Sequence, residues 1–123
     1  MAPKTILVID DEAVIREVIQ ECLKELAGWQ VWSASSGKEG LELAKTKPFD
    51  AILLDVSMPG MNGFDTLQAL KADPATHAIP VILLTAMILP PNQEAIAQKI
   101  VAGVITKPFE PLTLVNAIAE IMM

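Results

Sequence analysis

The sequence predicts an α/β domain: a doubly wound, five-stranded parallel sheet with five helices on its two faces. Two observations carry this expectation. Short, mostly apolar runs at 5–9, 30–34, 51–55, 79–84 and 103–106 are bounded by turn residues, as strands of a covered parallel sheet are. After each run the apolar spacing switches to three and four residues. Strand and helix therefore alternate, which implies parallel strands joined by right-handed crossovers. With 123 residues and no linker, repeat or low-complexity segment, one domain over residues 1–123 is expected.

Thr5-Ile6-Leu7-Val8-Ile9 runs straight into Asp10-Asp11-Glu12. Val14, Ile15, Val18, Ile19, Cys22, Leu23 and Leu26 then mark a helical stripe, with Asp11 placed to cap it and Gly28 to stop it. Val31 and Trp32 favour a brief strand. Ser36-Gly37-Lys38-Glu39 has the Ser-x-x-Glu form of a capping box, and Lys47-Pro48 closes the helix it opens. Ala51-Ile52-Leu53-Leu54 leads into Asp55 and a Pro59-Gly60 turn. A helix carrying Phe64, Leu67 and Leu70 follows, and the fourth strand ends in Thr85-Ala86. Pro90-Pro91-Asn92 launches a fourth helix from Gln93 to about Ile100. The fifth strand ends at Lys107-Pro108, and Glu110-Pro111 opens a last helix that is apolar over most of its circumference.

Composition removes several function classes. A net charge of −6 with no basic run excludes direct nucleic-acid binding. No run approaches the roughly 18 apolar residues of a membrane span. The N-terminus lacks the apolar core and cleavage site of a signal peptide, so no targeting segment and a cytoplasmic location are expected. The lone Cys22 cannot form an intrachain disulfide, and its place on the helical stripe makes it a small core residue.

The strand ends hold the chemistry. The first supplies Asp10 and Asp11, the third Asp55, the fourth Thr85 and the fifth Lys107. In an open parallel sheet these ends share one edge, where such folds bind ligands. Singly each residue is weak evidence: strand-end Asp and Thr are usually turn or cap residues, and a Lys beside Pro is usually solvated. Together they are harder to dismiss. Three carboxylates in one place repel unless a cation sits among them. An oxygen-only donor set suits a hard divalent ion, Mg²⁺ above all, and without a Cys or His cluster zinc is excluded. His77 falls in a loop and takes no role. Asp and Lys around a metal form a phosphoryl-transfer arrangement, with Asp55 the candidate nucleophile. The Thr85 hydroxyl can then bond a phosphoryl oxygen and Lys107 can ion-pair with one.

Asp10-Asp11, Asp55-x-x-Met58-Pro59-x-x-x-Gly63, Thr85-Ala86 and Lys107-Pro108-Phe109 resemble the receiver domain of two-component response regulators, in its single-domain chemotaxis form. The resemblance covers essentially the whole chain and implies the flavodoxin-like strand order 2-1-3-4-5. It implies that Asp55 accepts a phosphoryl group from a phosphohistidine on a sensor histidine kinase or a histidine phosphotransfer protein. Asp11, Asp55 and the main-chain carbonyl of Ser57 would bind Mg²⁺ directly, with Asp10 acting through water. Lys107 would contact the phosphoryl group, and Thr85 would move toward it as the switch. Such a chain catalyses its own phosphorylation and the hydrolysis of its acyl phosphate, without conventional turnover. The face of the fourth helix, fifth strand and last helix would bind a downstream effector. Ile88, Leu89, Val104 and part of the last helix are candidates for an apolar surface on that face, with a homodimer through it a further expectation. The alternative is that they fill the core. One departure stands out: Val104 occupies the position, three before the Lys, where the family often has Tyr or Phe.

Three rival readings are weaker. Gly37-Lys38 suggests a P-loop, but that pattern needs Gly where Trp32 stands and Ser or Thr where Glu39 stands. An aspartate-nucleophile phosphatase needs Asp-x-Asp, whereas Asp10 and Asp11 are adjacent. A pseudo-receiver that takes no phosphate is opposed by the intact set of Asp10, Asp11, Asp55, Thr85 and Lys107. Two expectations stay open: a stand-alone receiver that signals through a partner or relays phosphate, and a receiver cut from a larger regulator or hybrid kinase.

Overall fold

The structure is a computed structural model that describes residues 4–56, 63–85, 101–107 and 109–122. Strands β1 (Thr5–Ile9), β2 (Gln30–Ala34), β3 (Ala51–Asp55), β4 (Val81–Thr85) and β5 (Gly103–Thr106) form one sheet. Every pairing is parallel, and the order is β2-β1-β3-β4-β5, as expected. Helices α1 (Ala13–Ala27), α2 (Gly37–Ala44), α3 (Gly63–Ala72) and α4 (Pro111–Met122) pack around it. The helix expected over 93–100, together with Ser57, Ile88 and Leu89, lies outside the described residues.

The central strands are buried on both faces because their side chains alternate between two cores. Ile6, Val8, Ala51, Leu53, Ile82 and Leu84 join Ile19 and Leu23 of α1 with Leu114, Val115 and Ile118 of α4. Leu7, Ile9, Ile52, Leu54, Val81 and Leu83 join Leu67 and Leu70 of α3 and Ala44 of α2. Each large side chain so buried contributes roughly 1.5–3 kcal/mol. The carboxyl ends of β1, β3 and β4 are thereby held by packing on both sides.

Four local expectations are corrected. β4 starts at Val81 instead of Ile79. Ile79 N–H donates to the Thr76 carbonyl at 3.0 Å, and Pro80 has no N–H for the ladder. The residue flanking the start of α1 is Glu12, with extended backbone (φ −89°, ψ 115°) and no side-chain cap, so Asp11 does not cap this helix. Asp11 joins an acidic cluster instead. Cys22 is only half-buried. The last helix is mostly core: Leu114, Val115 and Ile118 are buried, and Ala117, Ile121 and Met122 pack beside them. Among the described residues the expected apolar face shrinks to Val104 and Leu112, 50% and 61% exposed.

Other signals match. Gly28 ends α1 in the left-handed region (φ 71°) that glycine adopts without strain. The Ser36 hydroxyl accepts from Glu39 N–H at 3.2 Å. The Glu39 carboxylate accepts from the Ser35 hydroxyl.

Candidate active site

Strand register assembles the site. Ile9 pairs with Leu54, so Asp10, the next residue, comes beside Asp55 at the end of β3. Asp55 pairs with Leu84, one residue short of Thr85. Thr85 pairs with Thr106, and the Lys107 N–H donates to the Thr85 carbonyl at 2.8 Å. From that position Lys107 reaches across the end of β4. Its Nζ lies 3.0 Å from Asp10 Oδ2 and 3.6 Å from Asp55 Oδ1. Asp10, Asp11 and Asp55 each offer a carboxylate oxygen within 4.8 Å of the others. Asp10, Asp11, Asp55 and Lys107 are thus brought together, with Thr85 at the adjacent strand end. Ser57 lies outside the described residues.

Burial sets the electrostatics. Asp10 and Asp55 are 0% and 1% exposed, whereas Asp11 is exposed. Burial raises the Asp10 carboxyl above its ordinary 3.8, and the charge of Asp55 adds to this. The Glu12 amide, which donates to Asp10 Oδ1 at 2.9 Å, and Lys107 oppose the shift without cancelling it. For Lys107 burial acts downward. The hydrogen bond to Asp10 and the charges of Asp10, Asp55 and Glu12 outweigh it and hold the ammonium above its ordinary 10.5. Lys107 is therefore the built-in counter-ion of the cluster, and one ammonium faces three carboxylates.

Two further residues shape this edge, and sequence reasoning gave them no role beyond a motif position or none at all. At Gly63, a Cβ would overlap the Asp55 carbonyl and the Val56 Cα. Only glycine lets the start of α3 lie against the peptide that follows Asp55. Arg16 Nη1 donates to the Asp10 carbonyl at 2.7 Å. An Arg on the polar side of α1 carries no distinguishing signal in sequence.

The donor set fits a hard divalent cation. Its three oxygens are carboxylate, mutually close and open to solvent on the Asp11 side. An octahedral Mg²⁺ with bonds of about 2.0–2.1 Å needs such oxygen ligands and keeps several waters.

A doubly wound sheet of this order, with acid, hydroxyl and ammonium at its carboxyl edge, is the architecture of a phospho-signalling receiver. The chain belongs to the response regulator receiver domain family, whose sequence pattern matches residues 6–119. It is 37% identical over 122 residues to the phosphate regulon transcriptional regulatory protein PhoB of Pseudomonas aeruginosa, covering 99% of this chain and 53% of that protein. The chain therefore spans about half the length of that relative. Among solved structures, chemotaxis protein CheY4 of Vibrio cholerae superposes with a TM-score of 0.89 at 30% identity, covering 98% of this chain and 99% of that one. The receiver domain of sensor histidine kinase PA1611 of Pseudomonas aeruginosa gives 0.87 at 27% identity, covering 98% of each chain. That structure has a magnesium ion coordinated in its active-site cleft.

Proposed function

We propose that residues 1–123 form one receiver domain that takes a phosphoryl group onto Asp55 from a phosphohistidine, on a sensor histidine kinase or a histidine phosphotransfer protein. The observation that carries this reading is the position of Lys107, 3.0 Å from Asp10 and 3.6 Å from Asp55 inside a three-carboxylate cluster. An Asp55 oxygen attacks the phosphorus. The new O–P bond forms as the N–P bond breaks, and the departing imidazole nitrogen keeps the bonding pair. Asp11 and Asp55, with the Ser57 carbonyl, would hold Mg²⁺, and Asp10 would reach it through water. When bound, the cation supplies charge neutralisation for the phosphoryl oxygens. Lys107 turns from Asp10 toward a phosphoryl oxygen, and the Thr85 hydroxyl bonds another. Hydrolysis of the acyl phosphate at the same site resets the domain.

The exposed Val104 and Leu112 fit an effector or a second copy of the chain better than a swinging aromatic ring, since valine cannot alternate between buried and exposed positions as a ring does. A cytoplasmic setting suits this role, and no helix among the described residues is long and apolar enough to cross a membrane. Incubation with a small acyl-phosphate donor and Mg²⁺, read by intact mass, tests the proposal. One added phosphoryl group is expected on the wild type, and none with chelator or in Asp55→Asn. An unlabelled wild type would favour a module that binds partners without taking phosphate.

A further inference from the structure

Every polar atom of Asp10 is engaged. Its N–H donates to the Ala34 carbonyl at 3.1 Å. Its carboxylate accepts from the Glu12 amide at 2.9 Å and from Lys107 Nζ at 3.0 Å. Its main-chain carbonyl accepts from Arg16 Nη1 at 2.7 Å. Asp11 differs: its carboxylate is exposed, and it has no hydrogen-bond or ion-pair partner among the described residues. The direction in which the Asp11 side chain leaves the backbone is therefore set by the peptide that joins Asp10 to Asp11. That peptide plane contains the carbonyl that Arg16 holds.

We infer that Arg16 is a positioning residue for the cation site: its guanidinium fixes the Asp10–Asp11 peptide and thereby aims the Asp11 carboxylate at Asp55. The inference rests on the proposed role of the carboxylate cluster as a Mg²⁺ site. β1 ends at Ile9, so the ladder with β2 and β3 does not fix this carbonyl. The Arg16 N–H meanwhile bonds the Glu12 carbonyl at 3.1 Å in the first turn of α1. The side chain thus ties the start of α1 back to the end of β1 across the Asp10-Asp11-Glu12 turn. A charged donor makes the stronger kind of hydrogen bond to a carbonyl. Groups that hold a metal ligand from behind typically cost about 10- to 100-fold in metal affinity when removed.

Calorimetric titration of the folded protein with Mg²⁺ tests this, on wild type, Arg16→Met, Arg16→Lys and Lys71→Met. Lys71 is the matched control. Its Nζ also donates to main-chain carbonyls, those of His77 at 3.2 Å and Ile79 at 3.0 Å, beside the opposite edge of the sheet. Arg16→Met is expected to weaken Mg²⁺ binding about tenfold, and Arg16→Lys, which keeps a charged donor, to recover most of that loss. Lys71→Met is expected to lower the unfolding temperature and leave Mg²⁺ affinity at the wild-type value. Unchanged affinity in Arg16→Met, or an equal loss in Lys71→Met, would overturn the inference while leaving the cation site intact. A wild type that binds no Mg²⁺ would overturn both.

Discussion

The two edges of the sheet handle polar groups in opposite ways. At the amino edge several are matched one to one with a partner. Asp50 accepts from Thr5 N–H at 2.8 Å and returns its own N–H to the Thr5 carbonyl at 2.8 Å. The buried Thr76 hydroxyl donates to the Leu70 carbonyl at 2.6 Å, and Lys71 is shared between two carbonyls. At the carboxyl edge, among the described residues, the carboxylates of Asp10, Asp11 and Asp55 cluster around the single ammonium of Lys107. The amino edge is built for stability. Among the described residues the carboxyl edge is left short of positive charge, which favours a cation; that cation and Lys107 together would then favour an anionic phosphoryl group.

The comparison can be broken most forcefully at Lys107. Lys107→Met removes the ammonium that lies against the buried Asp10 and Asp55 carboxylates, and a loss of about 3 kcal/mol in urea unfolding with chelator is expected. Mg²⁺ should still bind this variant, because its ligands are oxygen. A comparable loss of Mg²⁺ affinity in Lys107→Met and Asp11→Ala would show the assignment of Lys107 to be wrong. At the other edge, Thr76→Val strands the Leu70 carbonyl and should cost about 1–3 kcal/mol. Labelling of Asp55 with a small phosphodonor should be unchanged in that variant, and a matching loss of labelling would erase the distinction between the edges.

A smaller effect separates the two lysines in alkaline solution. Lys107 is held above 10.5 by its carboxylates, so its contribution is fully present below 10.5 and is lost as pH rises through its raised folded value. Lys71 is pushed below 10.5 by burial, so its ammonium is penalised near neutrality and the penalty lifts as pH climbs toward 10.5. Unfolding free energy followed with pH should decline above 10.5 in the wild type. Lys107→Met should flatten that decline, whereas Lys71→Met should leave it in place.

Strand-end chemistry is legible in this sequence because a buried parallel strand leaves few places for a carboxylate. Asp10, Asp55, Thr85 and Lys107 follow or end apolar runs, and strand pairing does the rest. What depends on main-chain geometry is hidden. Ile6-Leu7-Val8-Ile9 reads as uniformly apolar, and only the sheet assigns alternate residues to two cores. Asp11 looks like a helix cap, yet the helix starts after Glu12 and the carboxylate goes to the cluster. Arg16 is one polar residue among several on α1, and its reach to a carbonyl six residues earlier leaves no mark in the spacing. Pro80 does carry a signal for the late start of β4, through its missing N–H.

The charge imbalance at the carboxyl edge is tested most directly by the unfolding midpoint of the wild type and Asp11→Asn, each with Mg²⁺ and with chelator. A cation bound only by the folded chain stabilises it by about 2.7 kcal/mol at a hundred times its dissociation constant. Mg²⁺ should raise the wild-type midpoint accordingly and leave Asp11→Asn nearly unmoved. An equal rise in both proteins, or none in the wild type, would contradict the assignment of this edge as a cation-dependent phosphoacceptor site.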